Sequence, residues 1–217
     1  MGPDRELLDD QIAYYRARAS EYDTTTTPAG DPFAPHGDAI RAALRAFEPA
    51  GEVLELAAGT GQWTPILAEY ATSLTAVDAS QEMLDINRAK LKRHSIRYTV
   101  ADLFAWEPPQ DYDVVFFGFF LSHVPSGRFE TFWSLVARSL RPDGRIFFVD
   151  EADHGTWNEE WIDRDRGVVR RTLTDGSQHR AVKVLWQPAD LRDRLAELGW
   201  EASVHEEGPF YWGTAAI

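Results

Sequence analysis

LELAAGTGQWT, residues 54–64, is the stretch on which the reading of this chain turns. An apolar run leads into two glycines, Gly59 and Gly61, and a helix-forming segment follows. Glycine loses more backbone freedom on folding than other residues, so it marks a tight turn or a place where something approaches the main chain. A glycine loop between a strand and a helix also aims backbone N–H groups and a helix N-terminus at a ligand. A plain tight turn would have the same local sequence, so the flanking elements must decide.

Those elements alternate. EVLELA (52–57) reads as a strand, 62–71 as a helix, SLTAVD (73–78) as a strand, and 81–93 as a helix with Ser80 as N-cap and Glu82 in its first turn. IRYTVAD (96–102) and YDVVFFGF (112–119) are further strands; the unbroken apolar run of the second suits a strand buried on both faces. Residues 126–140 form a helix, RPDG (141–144) a turn that stops it, and RIFFVDE (145–151) a fifth strand. Strands alternating with helices imply a parallel sheet covered on both sides. Ligands of such sheets bind beyond the carboxyl ends of the strands, where the strand order reverses. Gly59 and Gly61 fall there.

The flanks read differently. Residues 5–22 carry helix formers with Tyr14, Tyr15 and Tyr22, DTTTTPAGDP (23–32) is a loop, and 38–47 is a short helix. Beyond 151 the sequence turns polar and aromatic. Runs at 168–174 and 180–186 flank Asp175-Gly176 and predict a hairpin. Pro188 opens a helix that Gly199 stops, and 200–206 with 209–216 predict a closing antiparallel pair.

Composition excludes several classes. The 217 residues are 44% hydrophobic, with 8 Trp, 7 Tyr and 12 Phe, enough for a packed core. A net charge of −13 argues against a nucleic-acid partner. The absence of cysteine removes disulfides, thiolate metal sites and a Cys nucleophile. The charged N-terminus has no apolar signal region, and VVFFGFFL (114–121), the longest apolar run, is too short to span a bilayer. These features predict a cytoplasmic protein with no membrane or nucleic-acid partner.

Three acids surround the glycine loop in the expected order. Asp78 ends the second strand, where a carboxylate accepts ribose hydroxyls in dinucleotide-binding folds. Asp102 ends the third strand, where it can accept from an exocyclic amine such as that of adenine. Glu55 is an acid inside an apolar strand and needs partners there. A nicotinamide cofactor would want a third glycine at Thr64, so the fit to that class is poor.

The chain resembles the class I S-adenosylmethionine-dependent methyltransferases. VLELAAGTGQWT is similar to their first motif, with Ala57 in place of its first glycine; AVDASQEML is similar to the ribose segment, ADLFAW to the adenine segment, and LRPDGRIFFVDE to the late helix-turn-strand signature. The resemblance runs over residues 10–151, and 187–216 agrees with it. It implies an α/β, Rossmann-like, doubly wound seven-stranded sheet, mostly parallel, with a reversed last strand. It also implies S-adenosylmethionine at the carboxyl edge. Glu55, Ala57, Gly59 and Gly61 would surround its methionine part, with Trp63 on the wall. Asp78 would hold the ribose; Ala79 and Met83 would line the adenine, and Asp102 and Leu103 would cover its edge. Gly118 and Phe119 would meet the amino group through carbonyls. Tyr14, Arg18 and Tyr22 would close over the donor, with Arg18 on its carboxylate.

The chain then divides into an N-terminal helical lid segment (1–36) and the catalytic domain (37–217), with a substrate-lid insertion at 152–186. His123 in LSHVP follows the fourth strand and is a candidate base, with Tyr14 the next catalytic candidate. His154, Trp157, Arg170 and Arg171 in the insertion, with His123, are the candidate acceptor contacts, and the arginines imply an acidic group on the acceptor. No metal-binding triad is visible. The expected activity is methyl transfer, at oxygen ahead of nitrogen, to a small-molecule or peptide acceptor by a monomer or homodimer. A non-catalytic S-adenosylmethionine- or nucleotide-binding protein and a nicotinamide-dependent oxidoreductase are the alternatives.

Overall fold

The computed structural model describes residues 3–26, 28–91, 96–153 and 159–217. The glycine stretch joins β1 (Gly51–Leu56) to α4 (Thr64–Tyr70). Then come β2 (Ala71–Asp78), α5 (Gln81–Lys90), β3 (Ile96–Val100), β4 (Tyr112–Gly118), α6 (Phe129–Ser139) and β5 (Leu140–Glu151). α7 (Pro188–Glu197) precedes the closing strands β9 (Glu201–Glu207) and β10 (Phe210–Ala216). The strand order is β3-β2-β1-β4-β5-β10-β9. β1 through β5 pair in parallel, and β10 runs antiparallel to both β5 and β9. The mostly parallel seven-stranded sheet with one reversed strand is therefore present. Its order reverses between β1 and β4, directly beside the glycine loop.

Neighbouring residues on each central strand feed opposite cores, as strand pleating requires. Val53, Phe116 and Phe147 pack with Ile40, Leu44, Ile66 and Leu67 on one face. Leu54, Phe117 and Phe148 pack with Phe132, Trp133, Leu191 and Leu195 on the other. Phe116 pairs across strands with Phe147, and Phe117 with Phe148, the latter rings lying 5.7 Å apart at 9°. Ser80 caps α5 by accepting from Met83 N at 3.2 Å. Gly199, at φ 87°, ends α7, as Trp200 N donates to Leu195 O.

Three local readings change. The RPDG turn lies within β5: Tyr112 pairs with Leu140 and Val114 with Arg145, so residues 141–144 bulge from one continuous strand. The threonine run is partly a short helix, α2 (Tyr22–Thr26), whose Thr25 hydroxyl donates back to Glu21 O at 2.9 Å. The expected hairpin, β7 (Val168–Thr172) and β8 (Gln178–Val182), gains a third strand, β6 (Glu160–Asp163). The end of the helix expected at 81–93 reaches residues outside the described ones, as do His154 and Trp157.

α1 (Pro3–Arg18) lies against β8, and α3 (Ala34–Phe47) packs on the sheet through Ile40 and Leu44. Gln11 fastens α1 from inside. Its Oε1 accepts from Val182 N at 2.9 Å, and its Nε2 donates to the carbonyl of His123 at 3.1 Å. The N-terminal helix and the small sheet are thus joined to each other and to the end of β4. No helix among the described residues is long and apolar enough to cross a membrane.

Candidate active site

The glycine loop is held in left-handed backbone conformations: φ is 52° at Ala57, 53° at Gly59 and 86° at Gly61. Ala57 therefore carries a strain that glycine would not, about 1–2 kcal/mol. A Cβ on Gly59 would meet nothing closer than 4.0 Å, so its face is open. A Cβ on Gly61 would lie 2.7 Å from Asn87 Cγ. Asn87 is a loop support that sequence reasoning missed. Buried on α5, it donates to Thr64 Oγ1 at 2.9 Å and accepts from Tyr98 OH at 3.1 Å.

Asp78 ends β2 and braces the same loop. Its two oxygens accept from Gly59 N and Ser80 N, each at 2.8 Å. Burial pushes its carboxyl above the usual range despite these bonds. Glu55 sits behind the loop, and burial raises its carboxyl to about 8, with a hydrogen bond to Thr64 in opposition. Its Oε2 has no hydrogen-bond partner among the described residues.

A first cavity opens in front of the loop. Ala57, Gly59, Asp78, Ala79 and Met83 form one wall, and Asp102, Leu103, Gly118 and Phe119 another. The sequence reading thus brought residues from four strand ends to one place. Glu55 and Gly61 lie behind this wall. Leu8, Gln11, Ile12 and Tyr15 of α1 close the cavity from above. Asp102 accepts from Phe104 N at 3.0 Å and from Arg5 of α1 at 2.8 Å.

A second cavity of about 860 Å³ adjoins it. Tyr14, Arg18, Trp63, Arg170 and Arg171 line it, together with Glu151, Glu159 and Lys183. Tyr15, Tyr22, Phe119 and His123 line both cavities, so these four mark the junction. Phe119 reaches it through a φ of 54°, a strained turn for a non-glycine residue just after β4. Arg18 lies over the rings of Tyr14 and Tyr22, 5.7 and 4.8 Å from their centroids.

His123 is buried, and both ring nitrogens are engaged. Nδ1 lies 2.8 Å from the carbonyl of Val182, so it carries the proton and donates. Nε2 then accepts from Tyr15 OH at 2.9 Å. Burial, with the charges of Lys183 and Arg171, holds the imidazole well below its ordinary range. Burial likewise raises Tyr15 well above the ordinary phenol value. Arg171 is clamped by both oxygens of Glu159, while Arg170 pairs with Glu160 at 3.0 Å nearer solvent. Lys183 pairs with Glu151, and its burial lowers it to about 8. No group of three or more His, Asp or Glu placed to hold a metal occurs among the described residues.

The family described as "Methyltransferase domain" matches residues 53–144. An uncharacterized methyltransferase of Staphylococcus carnosus (strain TM300) is 24% identical over 203 residues, 91% of this chain and 94% of its own length. The structure described as the DhpI-SAM-HEP complex is 43% identical, with a TM-score of 0.85, over 97% of this chain and 98% of that one. This chain belongs to the S-adenosylmethionine-dependent methyltransferases.

A second structure, described as the DhpI-SAH complex, is 43% identical with a TM-score of 0.84 over 96% of each chain. The methyltransferase therefore uses S-adenosylmethionine, and both alternative classes raised by the sequence give way to it. The first cavity fits that group: an open glycine face, a carboxylate at the end of β2 and a methionine side chain lie along one wall.

Proposed function

We propose that this methyltransferase methylates an oxygen of a small-molecule or peptide acceptor that carries an acidic group, and that the reacting oxygen arrives as an anion. The observation that carries the reading is the second cavity. It meets the first at Tyr15, Tyr22, Phe119 and His123, and it is faced by the mostly buried cations Arg171 and Lys183.

The bound donor supplies a methyl group already activated on a sulfonium sulfur. Asp78 would hold the ribose through the oxygen lone pairs that Gly59 and Ser80 leave free. Ala79, Met83, Asp102 and Leu103 would enclose the adenine. The backbone of Ala57, Gly59, Gly118 and Phe119 would face the methionine part, with Trp63 beyond it and Arg18 on the carboxylate. Glu55 and Gly61 would shape the loop from behind. α1 and the β6–β8 sheet would act as the cap, the first over the donor and the second over the acceptor.

Transfer to a hydroxyl needs a proton acceptor; transfer to an oxyanion needs only position. Arg171 and Lys183 give an anion two mostly buried cations to share with Glu159 and Glu151, and both nitrogens of His123 are occupied. These facts support an oxyanion. The naming of HEP beside SAM in the DhpI complex supports a separate acceptor site next to the donor. A second reading, a hydroxyl acceptor with His123 as base, draws on the place of His123 at the junction; it requires Tyr15 to release Nε2.

The test is a donor-dependent screen of small acids, hydroxy acids, amines and acidic peptides, followed by mass spectrometry. A methyl ester of the acidic group, located by fragmentation, is the expected product. A methyl ether at an alcohol hydroxyl would support the second reading, and an N-methyl product would sink both.

A further inference from the structure

Lys183 has two carboxylates near it, and they differ in freedom. Asp150 is fully buried in β5, and its oxygens accept from Ser122 N and Glu151 N, each at 2.8 Å. It is fixed by the fold. Glu151 is the next residue, at the end of the strand, and its side chain reaches into the second cavity to pair with Lys183. Lys183 itself is fixed: its side chain is 3% exposed, and its backbone N donates to Gly167 O at 2.7 Å. Glu151 is 24% exposed, whereas Glu159, the clamp on Arg171, is 7% exposed. Glu151 is thus the carboxylate that has room to leave.

Removing it alone would leave the buried ammonium with Asp150 nearby but without its contact ion pair, which is costly unless another anion takes that place. We propose that Glu151 is an internal counter-ion that holds Lys183 until the acidic group of the acceptor displaces it, and that returns to Lys183 when methylation has removed that charge. This inference rests on the acid-acceptor reading above. It makes Glu151 a specificity residue. A neutral amide or ester cannot compensate Lys183 and so cannot compete with Glu151, whereas an anion can. The same exchange favours release of the product, which carries one negative charge fewer than the acceptor.

The experiment uses sulfate as a probe anion, titrated by calorimetry into the full chain loaded with S-adenosylhomocysteine. Wild type, Glu151→Gln, Lys183→Met and the double variant are compared. Glu151→Gln should bind sulfate about three- to tenfold more tightly than wild type, because the internal competitor is gone. Lys183→Met should bind it more weakly than wild type, and the double variant should behave like Lys183→Met. Unchanged or weaker sulfate binding in Glu151→Gln would overturn the counter-ion role. If Lys183→Met still lost binding in that case, the acid-acceptor reading would survive. Equal sulfate affinity in all four proteins would overturn the inference at Lys183 itself, and the acceptor screen would then judge the broader reading separately. Titration with S-adenosylhomocysteine verifies that each variant is folded. Lys183→Gln replaces Lys183→Met if the latter is not. With an acidic acceptor in hand, Glu151→Gln should lower its KM and make the methyl ester a stronger product inhibitor. A collapse of kcat with KM held would instead show Glu151 taking a proton, and would overturn the proposal.

Discussion

Tyr15 donates its hydroxyl hydrogen to Nε2 of His123 at 2.9 Å, across 108 residues of sequence. The direction is fixed from the other side of the ring, because Nδ1 must donate to the carbonyl of Val182. One imidazole therefore ties α1, the end of β4 and β8 together at the point where the two cavities meet.

Tyr15→Phe should leave Nε2 buried without a donor. An unsatisfied buried group costs about 1–3 kcal/mol, so chemical denaturation should show a loss of that order. His123→Ala should cost at least as much, since it strips partners from Tyr15 and Val182. A double-mutant cycle should show coupling, with the pair losing less than the sum. Burial holds the imidazole well below its ordinary range, so the folded state resists taking up its proton. The unfolded chain binds its proton first, and this contribution to stability is lost as pH falls below about 6.5. Additive losses in the cycle would show that the bond does not matter in solution.

Asp78→Ala should weaken donor binding and stability together. A carboxylate–ribose hydrogen bond is worth about 1.5–3 kcal/mol, so affinity for S-adenosylhomocysteine should fall about tenfold or more. Stability should also drop, since Gly59 N and Ser80 N lose their acceptor. Unaltered affinity in a calorimetric titration of folded protein would remove Asp78 from the donor site.

Glu55 makes a distinct prediction about pH. Its carboxyl is raised to about 8 in the folded protein. The folded state then holds a proton that the unfolded state has released above the ordinary value of about 4.3. Stability should fall as pH rises from there to about 8, at up to about 1.4 kcal/mol per pH unit. Glu55→Gln keeps the shape and carries no titration, so its stability should be flatter over that window. Denaturation midpoints at several pH values decide it.

Much of this was legible in the sequence, for a physical reason. A parallel sheet covered on both faces requires continuous apolar strands such as VVFFG, and each strand end offers one position to the ligand side. Asp78 and Asp102 could therefore be placed at strand ends by counting, whereas Gly118 and Phe119 were placed by the resemblance to the family. Tyr14 and Tyr15 could not be told apart: they are adjacent on a helix and point about 100° apart, and only the packing of α1 shows that Tyr15 faces the junction. The pairs Lys183–Glu151 and Arg171–Glu159 were illegible too, because the packing of separate strands brings together residues whose charges look ordinary in sequence. The bulge at 141–144 reads locally as a turn, and only its pairing with β4 shows the strand continuing.

The loop itself offers a paired test. Gly61→Ala would add a Cβ 2.7 Å from Asn87 Cγ at a φ of 86°, so it should destabilise by about 1–2 kcal/mol from backbone strain and more from the clash. Ala57→Gly relieves strain of the same kind but loosens the unfolded chain by about 0.4–1 kcal/mol. It should therefore be neutral to modestly stabilising. If both variants unfolded alike, the loop would not hold the conformations described.

Arg171 and Arg170 are neighbours in sequence and should behave differently. Arg171 is 24% exposed and clamped by Glu159; Arg170 is 42% exposed and pairs with Glu160 near solvent. A charge interaction gains strength as water is excluded, so Arg171→Ala should raise the KM of an acidic acceptor far more than Arg170→Ala. Neither should alter affinity for S-adenosylhomocysteine. Lys183 adds a pH signature to the same measurement. Asp150 and Glu151 face it from β5, and His123 and Arg171 stand nearby; its burial sets it at about 8. Above that value it loses its charge in the free enzyme, so the acceptor's KM should climb as pH rises through about 8 while donor affinity stays level. In Lys183→Met the KM should be high at every pH, and the climb should vanish. A wild-type KM that is flat from pH 7 to about 9 would mean that the acceptor's charge is met by arginine alone.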